Sequence, residues 1–72
     1  MIEDPKKKLG ERIRTLRKRV GWSQEELAEA CGLHRTYVGA VERGEWNVSL
    51  INIVKFARAF QVKPADLMEG IS

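Results

Sequence analysis

The pattern of apolar positions divides the chain into short helical segments separated by glycine-bearing turns. Leu9, Ile13, Leu16 and Val20 recur at helical spacing, with basic residues filling the other positions, so a first helix with one apolar face is predicted. Gly21 follows the last periodic residue and closes it. Ser23-Gln24-Glu25-Glu26 reads as a capping box at the start of a second helix, with Trp22 and Leu27 placed to form a hydrophobic staple across it. That helix runs through Leu27, Ala28 and Cys31, and Gly32 ends it in a left-handed conformation. Leu33, Val38 and Val41 then mark the buried side of a third helix, which leaves Arg35, Thr36, Gly39, Ala40 and Arg43 toward solvent.

A turn over residues 44–47 leads to a fourth helix capped by Asn47 or Ser49, with Leu50, Ile53, Phe56, Ala57 and Phe60 on its inward face. Pro64, acceptable in a first helical turn, opens a short fifth segment ending near Met68. The expected fold is all-α, a compact five-helix bundle of one domain, with residues 1–8 as an N-terminal arm and 9–68 as the folded core. The second and third helices, the one following the other closely across a glycine turn, carry the physical signature of a helix-turn-helix.

Composition narrows the function. At 72 residues the chain holds one small core, and 43% hydrophobic with 32% charged residues is the balance of a globular domain. A single cysteine and a single histidine form no ligand set for a metal and no nucleophile–base pair, and no paired carboxylates stand out, so no catalytic residues, metal or cofactor are expected. The lone Cys31 suits a reducing cytoplasm. No apolar run is long enough to span a membrane, and none follows the early lysines as in a signal peptide. Thirteen Lys and Arg against ten Asp and Glu leave +3, compatible with a polyanionic partner.

The text LGERIRTLRKRVGWSQEELAEACGLHRTYVGAVERG, followed by SLINIVKFARAF, resembles the XRE-type helix-turn-helix proteins, which include phage repressors and Cro. The likeness extends from Leu9 to about Met68. Within that family, His34-Arg35-Thr36-Tyr37, Val41-Glu42-Arg43-Gly44 and Asn47-Val48-Ser49-Leu50 look like the controller proteins of restriction-modification systems. The resemblance implies a non-enzymatic transcription regulator that binds double-stranded DNA as a homodimer on pseudo-palindromic operators. A different class, an antitoxin or other protein-interaction module with secondary DNA binding, normally needs a further segment to wrap its partner, and little chain follows the fifth helix.

The family pattern also assigns residues. Gln24, at the first turn of the second helix, would hold a phosphate together with free backbone N–H groups. Arg35 and Thr36, opening the third helix, would read base edges, arginine by two hydrogen bonds to guanine and threonine by its hydroxyl or methyl. His34 stands where a serine cap is common and would face the DNA backbone. Tyr37 could reach a phosphate or be a half-buried core residue. Arg43 and Asn47 would contact phosphates on either side of the turn. Arg17 and Glu42 match a structural ion pair tying the first helix to the end of the third. Trp46 replaces an expected basic or polar residue, which favours covering an apolar patch of its own fold over touching DNA. Gly39 would either allow close approach to the groove floor or be an indifferent solvent position, and Lys6, Lys7 and Lys8 could reach neighbouring phosphates but read more readily as a solvated helix start. Ile51 and Val54, apolar but off the inward stripe of the fourth helix, are the candidate dimer interface.

Overall fold

The computed structural model describes residues 4–71 and consists, over those residues, of five helices: α1 (Pro5–Arg19), α2 (Gln24–Cys31), α3 (Arg35–Glu42), α4 (Leu50–Phe60) and α5 (Pro64–Met68). Local chemistry sets their ends. The Asp4 carboxylate accepts from the Lys6 backbone N–H and Pro5 occupies the first helical position, so residues 5–8 are the first turns of α1 rather than part of an arm; residues 1–3 lie outside the described residues. Ser23 and Glu26 form the capping box in both directions, at 3.0 and 2.9 Å. Gly32, at φ +69°, reverses the chain, and its neighbour Leu33 donates back to the Ala28 carbonyl. Ser49, not Asn47, caps α4.

The core is a single cluster drawn from every helix: Leu9 and Ile13 of α1, Leu27, Ala28 and Cys31 of α2, Val38 and Val41 of α3, Phe56 and Ala57 of α4, and Leu67 of α5. Trp22 closes one end by stacking on Phe60, with ring centroids 6.1 Å apart. Burial pushes the Cys31 thiol up to about 11, which keeps it protonated and unreactive at neutral pH. No helix among the described residues is long and apolar enough to cross a membrane.

Packing departs from the sequence pattern in three places. Val20, placed on the apolar face of α1, is the C-cap and is 48% exposed, because the helix has ended before it can turn inward. Leu50, expected on the inward stripe of α4, is 74% exposed. It is the first residue of the helix, and full burial on α4 begins only at Phe56. Gly39 and Ala40, expected toward solvent, are buried along with Val38, Val41 and Glu42. The eight-residue α3 packs against α1 on one side and α2 on the other, so its buried face is wider than one stripe.

Two contacts between distant parts of the chain fix α1 in place. Gly10 sits where an added Cβ would press on the Val41 carbonyl oxygen and lie 2.7 Å from that of Glu42, so α1 meets the end of α3 backbone to backbone. On another side of α1, Arg12 donates to the carbonyls of Asp66, Leu67 and Glu69, which satisfies the open C-terminal end of α5.

Candidate nucleic-acid interface

The geometry of the site is built around Glu42, the last residue of α3. Its side chain is only 3% exposed, and its carboxylate would be costly there without partners. Arg17 supplies two hydrogen bonds, Nε to Oε2 at 2.7 Å and Nη2 to Oε1 at 3.1 Å, while its Nη1 donates to the Trp22 carbonyl at 2.8 Å. Glu42 in turn raises Arg17 above its ordinary pKa through those hydrogen bonds. The pair joins α1 to α3 and the α1–α2 turn.

A third partner links this pair to the surface. Gln24 Nε2 donates to Glu42 Oε1 at 3.1 Å, so the amide at the first turn of α2 is held against the end of α3. Gly39 lies directly beneath: a Cβ there would fall 3.2 Å from Arg43 Nη1 and 3.3 Å from Gln24 Oε1. The glycine thus provides the floor on which Gln24 and Arg43 come together. Neither the Gln24–Glu42 hydrogen bond nor the role of Gly39 was legible in the sequence; a glycine within a helical pattern was the one available sign of close packing.

The remaining site residues spread outward from that centre. His34 is the N-cap of α3 and makes no side-chain cap, leaving it exposed beside Arg35 and Thr36, which are also exposed. Arg35 Nη1 lies 3.7 Å from Glu25 Oε2, both side chains about three-quarters exposed. Arg43 is paired with Glu45, at 2.8 and 3.3 Å, and their mutual hydrogen bonds lower the Glu45 carboxyl and raise the Arg43 guanidinium. Tyr37 is half-buried against the core, and its hydroxyl accepts from Asn52 Nδ2 at 3.0 Å. Asn47 is exposed in the turn after α3. Trp46 is 55% exposed, tilts against Tyr37 at 6.4 Å, and edges a shallow apolar cleft with Leu9, Ile53, Met68 and Ile71. The structure therefore brings Gln24 and Arg43 together, sets Arg35, Thr36 and His34 at the start of α3, and places Ile51 and Val54 on α4.

Two short helices joined by a three-residue turn, the second presenting Arg35 and Thr36 at its open N-terminal end, define a helix-turn-helix DNA-binding protein. A helix-turn-helix family model matches residues 13–67, and the chain belongs to the XRE-type helix-turn-helix family, a DNA-binding, non-enzymatic class of transcription regulators. The chain is 48% identical over 61 residues to control protein C.BamHI of Bacillus amyloliquefaciens, covering 83% of this chain and 75% of that protein. It is 50% identical over 66 residues to a hypothetical transcription factor of Neisseria meningitidis, covering 92% of this chain but spanning 62% of that relative. Among solved structures, the restriction-modification controller protein C.AhdI from Aeromonas hydrophila superposes with a TM-score of 0.84 at 53% identity, covering 86% of this chain and 94% of that one.

Proposed function

We propose that this protein is a sequence-specific transcription regulator of the restriction-modification controller type, acting in the cytoplasm as a homodimer on pseudo-palindromic operators. The observation that carries the reading is the convergence of Gln24 and Arg43 over Gly39, beside the exposed Arg35 and Thr36 at the start of α3. In this reading Gln24, Arg43 and Asn47 grip phosphates and fix register, while Arg35 and Thr36 read base edges in the major groove. His34 faces the sugar-phosphate backbone, and Tyr37, tethered through Asn52, adds a phosphate or sugar contact at the margin.

An exposed apolar patch supports the dimer. Ile51 is 70% exposed, Leu50 74%, and Val54 lies one turn further along α4. Residues three and four apart share a helix face, so a second copy would meet all three at once. The two α3 helices would then be spaced for half-sites about 34 Å apart, one turn of DNA.

The test uses sites selected from random duplex DNA and fluorescence anisotropy. Arg35→Ala should cost about 1–3 kcal/mol on the selected site and little on random sequence. Gln24→Ala should weaken both alike. Equal losses on specific and random DNA for both variants would refute the division between reading and gripping.

A further inference from the structure

The helix-turn-helix itself is acidic. Residues 24–45 contain five glutamates and two arginines, and both arginines are already paired, Arg35 with Glu25 and Arg43 with Glu45. A surface that meets a phosphate backbone cannot draw its long-range attraction from this segment, since the electrostatic part of DNA affinity comes from uncompensated Lys and Arg. The positive charge is instead concentrated on α1, which has eight basic side chains and one acidic one.

The fold divides those eight by what they touch. Arg12 and Lys8 donate to the carbonyl end of α5, Arg17 is used by Glu42, and Lys6 pairs with Asp4. Lys7, Arg14, Lys18 and Arg19 are exposed and form no ion pair among the described residues. At about 100° per residue Lys7, Arg14 and Lys18 fall within about 40° of one another, on a single ridge that also carries the exposed Glu11 between the first two and leaves Arg19 on another side of the helix. The ridge lies one step round α1 from Gly10 and Arg17, the positions that meet the end of α3. Lys7 begins it beside Gly44, where an added Cβ would lie 2.6 Å from Lys7 Cγ, next in sequence to Arg43. From Lys7 to Lys18 the ridge runs about 16 Å along the helix axis, a length one DNA strand covers in about five nucleotides.

We propose that Lys7, Arg14 and Lys18 form a second DNA-binding surface, one that follows the phosphate backbone beyond the segment gripped by Gln24 and Arg43 and supplies most of the salt-dependent affinity. It reads no sequence. The acidic helix-turn-helix then discriminates and α1 attracts, so that neutralising Glu25 and Glu45 on the reading face limit binding to DNA that merely carries charge. This inference rests on the DNA-binding reading above.

The experiment compares the unsubstituted chain with Lys7→Gln/Arg14→Gln/Lys18→Gln. A matched control, Lys55→Gln/Arg58→Gln/Lys63→Gln, removes the same charge from α4 and the turn after it. Anisotropy titrations on a random-sequence duplex and on a selected site are run from about 50 to 200 mM salt, with circular dichroism and melting to check the fold. The ridge variant should keep its fold and lose about 0.9 from the log–log salt slope for each contact, about 3 per protomer, equally on both DNAs. Its deficit should shrink about fortyfold per protomer across that salt range. The control should keep the original slope. A ridge variant with an unchanged slope overturns the proposal and leaves the ridge to an acidic protein surface; equal slope losses in both triples also overturn it, by showing an effect of net charge alone. Failure of the unsubstituted chain to bind either duplex would instead refute the DNA-binding reading.

Discussion

Arg17→Ala tests the centre of the site most sharply. An exposed ion pair contributes roughly 0–1 kcal/mol, whereas removing one member of a buried pair costs about 3–5 kcal/mol because the other charge is left uncompensated. Burial decides which regime applies. The Arg17 and Glu42 side chains are 11% and 3% exposed, and Arg17 makes three hydrogen bonds, two of them to Glu42. After the substitution, Gln24 alone remains to Glu42 among the partners seen, so the higher range holds. A domain of this length has a total stability of about 4–11 kcal/mol, so the loss removes about a third or more of it. The melting temperature should fall by at least about 12 °C, given about 4–8 °C per kcal/mol in small domains. Thermal and urea denaturation followed by circular dichroism would measure it, with Arg17→Met/Glu42→Leu completing the comparison. The double variant should recover most of the loss, since no unpaired charge is left behind. A single variant within about 1 kcal/mol of the unsubstituted chain, or a double variant no more stable than the single, would refute the reasoning.

Gly10→Ala should destabilise the fold even though alanine is favoured in a helix by about 1 kcal/mol, because its Cβ meets two backbone carbonyls that cannot move without separating α1 from α3, an overpacking cost of about 1–3 kcal/mol. An unchanged or raised melting temperature would show that the two helices separate freely. Ile51→Glu with Val54→Lys should give a folded monomer by sedimentation and circular dichroism, with weakened DNA binding; a variant that remains dimeric would move the interface off α4.

The elements legible in the sequence are those whose causes lie within a few residues of one another. Ser23 and Glu26 satisfy each other's N–H groups across one turn, and Gly32 takes a positive φ that a side chain resists, so the two helices of the helix-turn-helix and the turn between them follow from local chemistry. The same holds for the start of α5 at Pro64, and for the start of α4 as far as a cap at Asn47 or Ser49, between which the fold chose Ser49. Gln24, Arg35 and Arg43 were identifiable as surface residues of those helices, and their family pattern marked them.

What required the tertiary structure was the meeting of residues far apart in the chain. Periodicity assigns one buried face to each helix, but α3 is covered by both α1 and α2, so Gly39 and Ala40 are buried where the pattern left them exposed. Leu50 fits the stripe of α4 yet begins the helix outside the packed layer. Gly10 looks like a weakness in α1 until the carbonyls of Val41 and Glu42 are found against it. The basic residues show the distinction most clearly. Sequence determined how many there are, since charge is a property of composition. The family pattern marked Arg17 for Glu42, but only the fold decided which basic residues are spent on the end of α5 and which remain in water, because neutralisation depends on distance in space and not along the chain.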